Sequence, residues 1–305
     1  MRKTSEILKI APQDSLSAVL KSAYPEMRIM LAPRVYREKI EITVPAVQLI
    51  GHSPADTKIV FDDYAEKPDE NGVAYNTFRT YTAAVLAPHV TLRNLTVEND
   101  ALEPEKKGQE VALSVVADGF TAENCAFRST QDTLFCGPLP DDLIARYDGF
   151  LKPALRQGGR MRQVFRHCLI AGSVDFIFGC GDALFADCEI RSVADVRGVG
   201  YAAAPAHARE QEVGFVFAGC RFTCESAVAE ASVYFARPWR DHGKCSLIGC
   251  TCGRHIAPEG FDKWNDTNRD RTARFAEYGN IPAGRVPWSR SLSPAERSFL
   301  LNAFQ

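Results

Sequence analysis

The chain has 305 residues, 46% hydrophobic and 24% charged, with a formal net charge of -2. That composition excludes a disordered chain and supplies core material for one large domain or two ordinary ones. The near-neutral balance argues neither for nor against a polyanionic partner. No stretch approaches the ~18 uncharged apolar residues of a membrane span, and the first nine residues carry no export-signal pattern.

Ten cysteines and six histidines show neither Cys-x-x-Cys nor His-Glu-x-x-His spacing. Neither a metal centre nor another cofactor is expected. Without an export signal, ten cysteines read as free thiols, and the expected location is cytoplasmic.

Along the chain, residues 5–24 carry helix-compatible spacing in Ile7, Leu8, Leu16, Val19 and Leu20. Within them Asp14 and Ser15 open a short capped helix. Residues 27–31 form an apolar strand. Residues 34–42 alternate apolar and charged side chains with period 2, a half-buried strand. Further strands are expected at 47–50 and 59–61, then an exposed loop at 62–76.

From residue 84 a repeat sets in, with similar strings at 90–97, 120–127, 164–170, 184–190, 216–222 and 246–250. Their cysteines, Cys125, Cys168, Cys188, Cys220 and Cys250, lie 43, 20, 32 and 30 residues apart. Short strands at irregular intervals of this order predict a parallel β-solenoid, whose coils vary in their loops while the strand stack does not. Equivalent positions stack at ~4.8 Å, so the five cysteines form an interior ladder of small buried side chains with Leu95 as its first rung. Residues 256–305 lose the repeat and end in a helix with Ser293 at the N-cap and Pro294 at its first position. They read as a tail packed on a single domain spanning 1–305, expected to be monomeric.

One stretch concentrates chemistry. Between Gly172 and Gly179, Asp175 stands among apolar residues with no local cation. An ionised carboxylate there needs partners from elsewhere. The solenoid offers Asp132, in Gln131-Asp132-Thr133-Leu134, and Arg237, in Arg237-Pro238-Trp239, on one face of successive coils. Two carboxylates and an arginine can serve as the acid/base pair of a glycosidase. Alternatively, one carboxylate attacks an acyl carbon while the other handles protons. No Gly-x-Ser-x-Gly elbow, phosphate loop or basic-aromatic stripe is present, so serine hydrolases, nucleotide enzymes and nucleic-acid binders are disfavoured.

At these residues the chain resembles the pectin methylesterases, carbohydrate esterases built on a single-stranded right-handed parallel β-helix. The resemblance rests on 109–113 (Gln-Glu-Val-Ala-Leu), 131–135 (Gln-Asp-Thr-Leu-Phe), 174–179 (Val-Asp-Phe-Ile-Phe-Gly) and 237–239 (Arg-Pro-Trp), in that order. It implies an all-β fold with short terminal helices and hydrolysis of methyl esters on galacturonan or its oligomers. By the same resemblance Asp175 is the nucleophile, Asp132 the general acid/base, Gln131 and Gln109 the oxyanion donors, and Arg237 the partner that keeps Asp175 ionised. Trp239, Phe178 and Thr77 are the implied substrate contacts.

Two departures stand out. Arg34 replaces the glycine of the family's first motif, with Tyr36 and Glu38 kept. The two aspartates lie 43 residues apart, about twice the family's usual gap. The surplus, 137–160, is polar and turn-rich and is expected to leave the coil beside the cleft.

Overall fold

The computed structural model describes residues 7–11, 13–101, 108–279 and 284–305. The first six residues of the chain, and with them part of the segment read for an export signal and for helix spacing, lie outside it. Three parallel sheets of 11, 8 and 7 strands run along the molecule; the central coils contribute one strand to each sheet, and the first sheet extends further at both ends. This is the expected parallel β-helix.

Strand offsets carry the irregular spacing without breaking the stack. Phe120 pairs with Gln163, Ala126 with Leu169 and Leu134 with Ile177, a constant offset of 43 across all three sheets. The next coil is far shorter, with Phe165 paired to Phe185. Loop length therefore varies only at the corners, as the ladder predicts.

The corner between the first two sheets explains the cysteines. Asn94, Asn124, His167 and Asp187 take left-handed φ values of 54°, 50°, 51° and 53°, and Gly219 and Gly249 take 64° and 60°. Each turns the chain just before a ladder residue, and Asn, Asp, His and Gly are the types that tolerate this region best. The cysteines that follow are buried and outside any disulfide. Their thiols donate to carbonyls, as in Cys188 to Phe165 at 3.4 Å and Cys220 to Phe185 at 3.2 Å. The neighbouring core is aromatic. Phe165, Phe185 and Phe217 stack at 4.9 and 4.7 Å with 13° between planes, each contact contributing ~0.5–1.5 kcal/mol beyond its burial.

Several local expectations change. Ile7–Lys9 is a strand paired to Arg28–Met30, so only Leu16–Lys21 of the first segment is helical. The alternating stretch 34–42 splits into strands Val35–Tyr36 and Ile40–Ile42, which belong to different sheets. The first motif is structural, with Glu38 accepting from the Leu16 and Ser17 amides at the helix start, both at 2.9 Å. Arg34 lies over the Tyr36 ring at 4.0 Å. In the tail, Arg274–Tyr278 and Arg290–Ser291 extend the first sheet, so one third of the repeat continues further than its sequence shows. The final helix, Pro294–Asn302, has its capping box of Ser293 and Glu296.

Candidate active site

Gln131 forms a parallel bridge to Val174, and Leu134 pairs with Ile177. Asp132 and Asp175 therefore occupy the same register position on neighbouring coils, one strand spacing apart. Both backbones are left-handed, with φ of 60° and 51°. Beyond Asp175 the register to the next strand shifts between Val174 and Ile177. Such a bulge re-aims a side chain, and here it falls on the carboxylate.

The flanking glycines follow from close packing. A Cβ on Gly172 would come within 2.3 Å of the Phe176 Cβ, and one on Gly179 within 2.1 Å of the Cys136 carbonyl oxygen. No side chain fits at either position.

Arg237 supplies the missing cation. Its Nε donates to Asp175 Oδ1 at 2.8 Å and its Nη2 to Oδ2 at 2.7 Å. The fork is bidentate and charge-assisted. The guanidinium is also held between two rings, 3.8 Å from the Tyr201 centroid and 4.0 Å from that of Trp264. Its freedom to leave the carboxylate is small.

The two carboxyls differ electrostatically. Burial, and then the charge of Asp175, push Asp132 well above the usual carboxylate range, and Gln131, Arg237 and Arg197 offset this only in part. Burial also raises Asp175, against the pull of Arg237 and Arg197. Asp132 is therefore the carboxyl that holds a proton more strongly, and Asp175 the one that ionises first.

All eight sequence-nominated residues line one cleft of about 430 Å³: Thr77, Gln109, Gln131, Asp132, Asp175, Phe178, Arg237 and Trp239. Their surroundings differ. Phe178 is 2% exposed and packs at 5.0 Å on Phe135 and 5.9 Å on Trp239, so it forms the floor. Trp239 is half-buried, with Arg240 over its ring at 4.8 Å. Thr77 opens a 3-10 turn, Thr77–Arg79, at the cleft edge. The side-chain amide of Gln109 makes no hydrogen bond to a described residue and stays available to a ligand. A larger cavity of about 860 Å³ lies on the other side of Arg240. Its buried His207 is held neutral, pushed down to about 4 by burial.

Sequence reading missed three groups. Tyr201 and Trp264 hold Arg237, and Arg197 donates to Gln131 Oε1 at 2.8 Å while forming a bidentate pair with Asp195. The aromatic types at 201 and 264 were the available signal, without any indication of their target. The surplus segment also reaches the cleft, through Leu143, Arg146 and Tyr147.

The family model described as Pectinesterase matches residues 7–138 and 158–297. The chain belongs to the pectinesterase family. Curated relatives include "Pectinesterase QRT1" of Arabidopsis thaliana, 29% identical over 94% of this chain and 71% of that protein. "Pectinesterase" of Petunia integrifolia is 31% identical over 90% and 70%. Among solved structures, a pectin methylesterase from Yersinia enterocolitica aligns with a TM-score of 0.77 at 26% identity, covering 96% of this chain and 97% of that one. A pectin methylesterase in complex with a hexasaccharide shares the fold at a TM-score of 0.81 and 23% identity, covering 97% and 95%. The family spans leave out 139–157, so the segment that lengthens the gap between the aspartates is this chain's departure from the family pattern.

Proposed function

We propose that this pectinesterase hydrolyses methyl esters on homogalacturonan or oligogalacturonides, releasing methanol, with Asp175 as nucleophile. The observation that carries the reading is the pairing of Asp132 and Asp175 at one register position, with Arg237 clamped on Asp175 alone. That arrangement separates two carboxyls into one ionised member and one protonated member.

The reaction begins with an Asp175 oxygen attacking the ester carbonyl carbon. Negative charge develops on the carbonyl oxygen, and the amides of Gln131 and Gln109 donate to it. A neutral donor stabilises that charge without drawing the attacking carboxylate away. As the tetrahedral centre collapses, the C–O bond to methanol breaks and Asp132 gives its proton to the departing oxygen. An acyl anhydride then joins Asp175 to the galacturonate. Asp132, now ionised, takes a proton from water, and the resulting hydroxide attacks the anhydride. Asp175 leaves as carboxylate, and the proton taken by Asp132 restores its acid form. Arg237 orients Asp175 throughout and favours its charged form. Trp239, with Thr77 beside it and Phe178 beneath, offers a half-buried aromatic surface to a sugar ring.

We place the enzyme in a reducing, cytoplasmic setting, supported by ten cysteines that form no disulfide, and read it as a monomer acting on oligomers. The test is methanol release from polymeric pectin beside short methylated oligogalacturonates. The reading requires release from at least one, with the oligomers favoured. Release from neither contradicts it.

A further inference from the structure

The segment 139–157, which the family pattern lacks, is a built wall of the cleft. It folds as the helix Asp141–Arg146 and the 3-10 turn Pro153–Arg156. Its Leu139, Leu143, Leu151 and Leu155 are all buried, packed with Phe78, Phe135 and Phe178 under the active site. Ion pairs pin its two ends, Asp142 to Arg240 at 2.9 Å and Lys152 to Glu41 at 2.6 Å. Arg79 lies over the Phe150 ring at 4.2 Å. An element held this way keeps its place when a polymer slides by.

The wall presents two side chains to the cleft. Tyr147 meets Phe78 edge-on at 5.6 Å and extends the aromatic line that runs through Phe178 to Trp239. Arg146 lines the same cleft and is exposed. The other arginines there are engaged: Arg237 on Asp175, Arg240 on Asp142. Arg146 forms no ion pair or side-chain hydrogen bond with any described residue. A fixed wall thus holds one uncommitted cation over a groove built for a sugar polymer.

The proposed substrate carries at every unit either a neutral methyl ester or a carboxylate. We propose that Arg146, with Tyr147 beside it, forms a subsite for the carboxylate of a galacturonate that has already lost its methyl group. This rests on the pectin reading above. A guanidinium can take a carboxylate with two charge-assisted hydrogen bonds, while a methyl ester offers a neutral acceptor. At an exposed site, screening holds the preference to about fivefold. Each turnover creates a carboxylate, so the enzyme makes the chain it binds better.

The test compares kcat/KM for two oligogalacturonates of equal length, one fully methylated and one carrying carboxylates at part of its units. Wild type is expected to favour the carboxylate-bearing oligomer by about fivefold, less at high salt. Arg146→Gln brings that ratio close to one, the loss falling on the carboxylate-bearing substrate, and Arg146→Glu reverses it. A thermal melt of each variant checks that the wall stays folded. A wild-type ratio of one, or an Arg146→Gln loss equal on both substrates, overturns the subsite while leaving the esterase reading intact. A wild type that releases methanol from neither oligomer overturns the subsite, and one that also releases none from polymeric pectin overturns the esterase reading with it.

Discussion

Arg197 and Gln131 are joined by a 2.8 Å hydrogen bond from the guanidinium to the side-chain carbonyl oxygen. With its oxygen taken, Gln131 has its amide nitrogen left for the cleft, where it favours the charged form of Asp132. Asp195 holds Arg197 in turn, and Ser173, two residues before Asp175, donates to Asp195 at 2.9 Å. The orientation of Gln131, the proposed oxyanion donor, is thus fixed by a chain of contacts running back to the residues just before Asp175.

Removing that anchor lets the Gln131 amide turn over. Arg197→Ala is expected to lower kcat by about tenfold with KM little changed, a fraction of the 10²–10³ that loss of a whole oxyanion donor costs. Arg197→Lys restores part of it. A change in KM alone would mean that Arg197 binds substrate and does not position Gln131.

Arg237→Lys keeps a positive charge but loses the fork and the flat contact with Tyr201 and Trp264. A decrease in kcat on the order of 10² is expected from misplacement of the carboxylate. Arg237 pulls the Asp175 carboxyl down against burial, so its loss raises that carboxyl further. As the proposed nucleophile, Asp175 must be ionised to attack, and the acid limb of the pH–rate profile is therefore expected to move to higher pH. An unmoved limb would contradict the pairing.

Asp132 gives a stability prediction of opposite sign to its activity. The fold lets its carboxyl hold a proton well above the ordinary value of 3.8, so above that pH the folded state binds more protons than the unfolded chain. Stability then decreases as pH rises through that window, and the penalty is absent below 3.8. Asn cannot ionise and tolerates the left-handed backbone. Asp132→Asn should abolish most methanol release yet raise the melting temperature at neutral pH, by about 2–4 °C for each kcal/mol recovered. The gain should shrink as pH falls. A lower melting temperature at neutral pH would show that the Asp132 charge stabilises the fold.

At the solenoid corner, Asn124 has φ 50° and donates to Asn94 Oδ1 at 2.8 Å. Asn124→Val forces a β-branched residue into the left-handed region and removes that bond. A loss of about 1–2 kcal/mol in denaturant unfolding is expected, and Asn124→Gly should cost less. Equal losses would assign the cost to the hydrogen bond alone.

The repeat was readable because one residue type, cysteine, marks the same corner in five coils. It fixed the stack, and the stack placed Asp132 beside Asp175. The left-handed residue before each rung was also on view, but as Asn, His, Asp or Gly it lacks one identity to follow. Arg197 and Trp264 were not readable, since both sit in loops whose path no periodicity constrains. The helix Asp141–Arg146 was hidden for another reason: six residues after Pro140 are too few to show a hydrophobic period. The tail strand Arg274–Tyr278 joins the sheet through backbone pairing to Lys244–Ile248, which leaves little trace in side-chain pattern.

Everything proposed for the cleft depends on Asp175 as nucleophile. The most direct measurement is methanol release from methylated pectin by Asp175→Asn, with its melting curve recorded alongside. Asn suits the left-handed backbone at 175, so the fold should persist. A folded protein with activity reduced to background is expected. A folded variant that keeps more than a few per cent of wild-type release would contradict the nucleophile role of Asp175.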